Sequence, residues 1–227
     1  MAVFEGFPPE ALTFFAGLEA DNSKAYWQAN KATWESKVHE PMVAFLEALD
    51  ERFQPFHLFR PYRDLRFAKD KAPYKTQIGA VSEGKGGEVY YVHLSTWGLF
   101  TASGYHTLAK DQLARFRAAI DDERSSIKLE EIIQQLKDDG YTVTSGVAEP
   151  LKTTPRGYAK DHPRAEMLRW KGLTISHDFG APNWLHTTQP VERVHEVWQA
   201  AGELNDWLGT YVGRSQETSE ATAVWTR

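Results

Sequence analysis

The 227-residue chain contains no cysteine. That excludes disulfides, thiolate nucleophiles, cysteine-based zinc sites, iron–sulfur clusters and thiol redox control together. No stretch approaches the roughly 18 apolar residues of a membrane span. The start, Met-Ala-Val-Phe-Glu-Gly-Phe-Pro-Pro, lacks the basic segment and apolar run of a secretory leader, so a cytoplasmic protein without membrane contact is expected. The 8 histidines show no His-x-His, His-Glu-x-x-His or His-x3-His spacing, and neither a metal nor a cofactor is expected. Gly-x-Ser-x-Gly is absent, which argues against a serine hydrolase. Gly84, Gly86 and Gly87 are followed by no Gly-Lys-Ser/Thr and read as a hairpin turn instead of a phosphate loop. Repeats, coiled coil and low-complexity runs are also missing.

What is abundant is aromatic side chain, 8 Trp, 9 Tyr and 12 Phe, suited to a dense core or a cleft lined with flat rings. The formal charge of -5 is unevenly spread. Residues 60–75 carry Arg60, Arg63, Arg66, Lys69, Lys71 and Lys75 against Asp64 and Asp70, a balance of +4. Residues 151–171 carry Lys152, Arg156, Lys160, Arg164, Arg169 and Lys171 against Asp161 and Glu166, again +4, so the remainder sums to -13. Residues 121–149, with 8 acids and 3 bases, hold much of that negative charge.

Periodicity predicts an α+β fold, an antiparallel β-meander packed with helices in a single domain over residues 1–212, followed by a polar tail over 213–227 in which Val224 and Trp225 could dock. Pro8 and Pro9 open a first helix, Asn22 is the expected cap of a second, and Pro41 restarts the pattern in a third. Strands are expected at 57–67, 75–82, 88–95 and 98–103, with shorter ones at 141–144, 147–151 and 173–177. Further helices are expected around Phe116, Ile132 and, as one long element, over 190–211.

The richest chemistry lies in residues 60–75. If extended, this segment mixes charge with apolar groups on each face, so its arginines need carboxylates, carbonyls or a bound anion. Planar guanidinium donors beside flexible ammonium groups suit phosphate or carboxylate. Internal pairing of Asp64 and Asp70 with these cations is the structural alternative. The second island, an irregular loop with Pro155, Gly157 and Pro163, can surround a ligand, while Asp161 and His162 read as a helix cap in preference to a catalytic pair. In the strand at 88–95, Val89, Tyr91, His93 and Ser95 share one face. His93 is either an acid or base at the mouth of the sheet or a satisfied core histidine.

Several blocks carry a resemblance: Phe4-Glu-Gly-Phe7, Asn22 through Lys31, Pro41-Met42, Arg63-Asp-Leu-Arg-Phe-Ala-Lys-Asp-Lys-Ala-Pro-Tyr-Lys-Thr76 and Pro155-Arg-Gly-Tyr-Ala-Lys-Asp-His-Pro163. Over roughly residues 4–210 the chain resembles the bacterial and fungal family catalogued as domain of unknown function 2461. It departs from the family at Tyr26-Trp27, commonly Trp-Phe, and at Thr101-Ala-Ser-Gly-Tyr-His106, where the family has a glycine-rich turn. The resemblance implies a compact α+β domain in which both basic islands belong to one design, and it implies no particular reaction.

The leading expectation is therefore a pocket for a small anionic or phosphate-bearing ligand. Arg63, Arg66, Lys69, Lys71, Lys75 and Arg156 would supply charge, and Asp64, Asp70 or His93 would act as acid or base if the site is catalytic. Single-stranded nucleic acid is a less favoured partner, because a net charge of -5 attracts a polyanion poorly. A non-enzymatic protein-interaction domain is the third reading. Catalysis and plain binding both stay open, as does the oligomeric state.

Overall fold

The computed structural model describes residues 3–66 and 70–217. Pro8 and Pro9 start α1 (Pro9–Ala20), where a missing N–H costs little, and Ala11, Phe14, Phe15 and Leu18 form its buried stripe. The cap of α2 (Lys24–Thr33) is Ser23, whose hydroxyl accepts from the Tyr26 N–H at 3.1 Å. Asn22, the expected cap, is committed elsewhere. The helix continues through a wide turn, Trp34–His39, into α3 (Glu40–Ala48), with Pro41 in the first turn as anticipated.

A six-stranded antiparallel sheet follows in the order β1-β2-β3-β4-β6-β5, formed by β1 (His57–Leu58), β2 (Gln77–Glu83), β3 (Val89–Ser95), β4 (Gly98–Tyr105), β5 (Thr142–Thr144) and β6 (Leu173–Gly180). The first strand is much shorter than the expected 57–67. Pro61 has no N–H to give to a ladder, and after the Phe59 N–H reaches the Gly79 carbonyl at 2.9 Å the chain leaves the sheet. No strand forms at 147–151. The Val147 N–H goes to His106 and the Leu151 N–H to Arg169, single bonds to different segments. Helices α4 (Lys110–Asp121) and α5 (Glu123–Asp138) precede β5 in the chain and the short α6 (Ala165–Leu168) follows it, and the expected long last helix divides into α7 (Gln189–Ala200) and α8 (Gly202–Tyr211). The tight β3–β4 turn requires glycine at position 98, where φ is +110° and an added Cβ would lie 1.7 Å from the Gly180 carbonyl oxygen.

Strand register divides the sheet into two unlike faces. Ile78, Ala80, Val92, Leu94, Leu99, Tyr105, Leu173 and Ile175 fall on one face, and these are the buried sheet residues of both hydrophobic cores. The first core joins them to α1, α2, α3 and the Trp198 end of α7, and the second to α4, α5 and α8. Burying large side chains such as Phe15, Phe45, Trp198 and Phe116 contributes about 1.5–3 kcal/mol each, which fixes where the helices sit. The opposite face contributes no residue to either core cluster.

Candidate ligand-binding site

On that opposite face Phe59, Gly79, His93, Phe100 and Asp178 form one cross-strand row, running from the edge of β1 to β6. In the next row Val81, Tyr91, Ala102 and Ser176 stand side by side. The His93 and Phe100 rings stack with centroids 5.0 Å apart and planes 20° from parallel. Tyr91 packs 5.5 Å from His93, 6.3 Å from Phe100 and 6.4 Å from Phe59. Gly79 eases this packing. A Cβ there would lie 3.1 Å from the His93 Cβ and 3.3 Å from the Tyr91 hydroxyl, a tight fit beside the phenol, which accepts the Gln77 amide N–H at 3.0 Å. Burial pushes the Tyr91 phenol up to about 12, with Gln77 opposing.

His93 is the chemically open member of the row. Its Nδ1 is buried and meets no hydrogen-bond partner. Burial pushes the imidazole down to about 4, while the Asp178 carboxylate draws the other way, so the ring is neutral at physiological pH and offers one donor and one acceptor. Lys75 adds the positive charge. Its Nζ lies 5.0 Å over the Phe59 ring, and burial, then the nearby Arg60, hold its pKa below the ordinary lysine value.

Lys75 is placed by an excursion that begins at Pro61. The Tyr62↔Tyr74 bridge, the Arg63 N–H to Pro73 carbonyl bond of 2.9 Å and the Lys75 N–H to Pro61 carbonyl bond of 2.7 Å close its neck. Asn22 then clamps the neck at two points, donating to the Tyr74 carbonyl at 3.0 Å and accepting the Tyr74 N–H at 2.9 Å. Trp27 stacks on the Tyr74 ring at 4.3 Å and 7°, which ties the excursion to α2. Within it, Arg63 pairs with Asp70 at 2.5 Å, Arg66 makes a forked contact with Asp64, and the Lys71 ammonium donates to the Leu65 carbonyl at 3.0 Å. The Arg66 guanidinium holds Asp64 far below the carboxylate range, and Arg63 lowers Asp70 in the same way. Lys69, expected to share this site, lies outside the described residues, as do Val224 and Trp225.

The second basic island packs on the other core. Tyr158 and Met167 join the α4–α5 cluster, Arg164 makes a forked bond to Glu130, and His162 bonds to Asp121 at 3.1 Å. Arg156 is exposed in that loop. Among the described residues no hydrogen bond or ion pair joins the two islands. A separate cleft of about 780 Å³ lies between α3 and α7, and Glu47, Asp50 and Glu192 give its wall a negative sign. None of the expected anion-binding residues lines it.

Among the described residues no group of three or more His, Cys, Asp or Glu side chains is placed to hold a metal ion, and no helix is long and apolar enough to cross a membrane. Phe59, Gln77, Phe100 and Asp178 were not singled out by their sequence context. Alternation aligned Tyr91 with His93 but could not supply the register that brings Phe100 and Asp178 alongside.

These features define an α+β domain whose antiparallel sheet is covered by helices on one face and carries a row of rings with a cationic edge on the other. The chain belongs to the family described as Conserved hypothetical protein (DUF2461), whose family model matches residues 10–207. No curated protein and no solved structure matches it.

Proposed function

We propose that this protein binds a small phosphate- or carboxylate-bearing ligand on the helix-free face of the sheet, with the ligand's flat part against the His93–Phe100 rings and its anionic group near Lys75. The observation that carries this reading is the buried, unpartnered Nδ1 of His93 in a row of rings that both hydrophobic cores leave out. A buried polar atom without a partner costs about 1–3 kcal/mol, and a ligand polar group would recover that cost once the ring turns to present Nδ1 to it. Rings supply stacking surface and Lys75 supplies long-range attraction for the anion.

Arg63, Arg66, Asp64 and Asp70 serve this reading indirectly. Their charges answer one another, and the clamped neck presents Lys75. His93 is the acid or base of choice if the bound ligand reacts, because its neutral ring can accept a proton. Cytoplasmic residence suits a chain without cysteine.

Calorimetric titration with adenosine 5′-monophosphate, benzoate and inorganic phosphate tests the reading. Binding to the wild type that falls at least tenfold in both Lys75→Met and His93→Leu supports it. Affinity unchanged in both variants refutes it. Binding to single-stranded oligonucleotides with a steep salt dependence would favour the nucleic-acid reading instead.

A further inference from the structure

The cleft of about 780 Å³ between α3 and α7 is built from two helix stripes. Ala44, Glu47 and Ala48 line it at three- and four-residue spacing on α3. Thr188, the cap of α7, and then Val191, Glu192 and His195 line it at the same spacing from the other side. Beside the Glu47 chain α3 offers only two methyl groups, so side chains do not fill the space between the helices. Phe4 and Ala44, each 5% exposed, form the apolar bottom, and Phe4 is fixed there by edge-on contacts with the Phe7 and Phe45 rings. Val3 at the mouth is 83% exposed.

The cleft is short. The segment that carries Val3 and Phe4 is held to the residues before α7 by the Phe7 N–H to Leu185 carbonyl bond of 3.0 Å, and Asp50 and His195 meet at the far end, 3.9 Å apart. From Thr188 to His195 a helix rises about 10 Å, room for one small molecule and too little for several turns of a partner helix. The volume falls within the range of about 300–1,000 Å³ usual for small-molecule clefts.

Charge selects the occupant. The lining holds Glu47, Asp50 and Glu192 but no lysine or arginine. Asp50 is already answered by the Arg52 Nε at 3.1 Å, and the same guanidinium donates to His195 Nε2 at 2.7 Å. Arg193 pairs with Glu196 at 3.3 Å. Glu47 and Glu192 are exposed on the two walls, and among the described residues neither takes part in a hydrogen bond or an ion pair.

We propose that the α3–α7 cleft binds a small organic ammonium ion with an apolar body. The body lies against Phe4, Ala44 and Val191, and the charged nitrogen stays at the mouth, near Glu47 and Glu192. Burial of the body supplies most of the affinity, while the exposed carboxylates supply the choice of sign, because an anion of the same shape is repelled. The site is independent of the anion site on the helix-free face of the sheet.

The test is an amide NMR titration of the whole labelled protein with phenethylamine, tryptamine and hexylamine, each matched with the carboxylate of the same body: 3-phenylpropionate, 3-indolepropionate and heptanoate. Ligands are added to about 5 mM, since molecules this small bind in the millimolar range. At least one amine should shift the amides of Ala44, Ala48, Val191 and Glu192 saturably, with its matched carboxylate silent there. Its Kd should rise about three- to tenfold in the double variant Glu47→Gln, Glu192→Gln, whose exposed substitutions leave the fold intact. Silence of these amides toward all three amines, equal shifts from amine and carboxylate, or an unchanged Kd in the double variant would overturn the proposal. So would a basic amphipathic peptide that shifts them when every amine fails, which would make the cleft a protein-docking surface.

Discussion

Consecutive residues of β3 meet opposite environments. Leu94 is fully buried in the first core, while His93 faces the helix-free side with a ring nitrogen left unanswered. Period two makes this contrast unavoidable, because adjacent side chains must point to opposite faces. What differs is the filling. One face is filled with aliphatic and aromatic groups whose burial holds the helices in place. The other carries rings, an amide, an imidazole and an ammonium group that are only partly covered. The comparison separates residues that maintain the fold from residues that the proposed ligand would meet.

The sharpest way to break that comparison is to substitute both neighbours. Leu94→Ala should cost about 2–5 kcal/mol in a denaturant titration. His93→Leu should leave the unfolding midpoint at neutral pH unchanged or slightly raised, since it removes an unsatisfied polar atom, yet abolish binding. A large loss of stability in His93→Leu would place the imidazole among the structural residues and erase the distinction.

A smaller effect is expected where the two faces are linked. Asn22→Ala leaves the Tyr74 N–H and carbonyl without their side-chain partners and should cost about 1–3 kcal/mol, with a parallel loss of ligand affinity because Lys75 follows Tyr74. Full stability together with unaltered affinity would show that the clamp does not position the lysine.

Acid adds a titration specific to the helix-free face. The native imidazole of His93 protonates only near pH 4, whereas an unfolded histidine does so near 6.5. Above pH 6.5 both states carry a neutral ring and the full contribution is present. Between about 6.5 and 4 the unfolded state binds the extra proton, so stability falls as pH falls. Denaturant midpoints measured from pH 7.5 to 4.5 should show a decline that is shallower in His93→Leu. Parallel curves for the two proteins would contradict the neutral, buried ring. The smallest effect belongs to Arg66→Gln. Its exposed pairing with Asp64 is the kind that contributes little, and its Tm should match the wild type by calorimetry.

Much of this was legible in the sequence, and what was not has physical reasons. Helix starts at Pro9 and Pro41, the meander over β2 to β4 and the sharing of one strand face by Tyr91 and His93 all follow from local rules. Residues 60–67 misled, because their alternation of arginine, tyrosine and leucine reads as a strand. Pro61 is local and breaks that alternation, whereas the pull of Asn22 and Trp27 on Tyr74 is tertiary; together they take residues 61–66 out of the sheet. Asn22 looked like a cap for the same reason: capping chemistry and a two-point backbone clamp use the same amide group. Charge counting located Lys75 within a basic island but could not separate it from Arg63 and Arg66, whose partners are seven and two residues away. Likewise, the row that joins Phe59, His93, Phe100 and Asp178 depends on register between four strands, which no single segment encodes.

The central claim is that the helix-free face is the ligand site, and backbone amide NMR of the labelled protein titrated with adenosine 5′-monophosphate tests it most directly. Shift changes should concentrate at Phe59, Lys75, Gln77, Tyr91, His93 and Phe100 and disappear in His93→Leu. Changes centred on the Arg156 loop or on the α3–α7 cleft, with that row silent, would contradict the account.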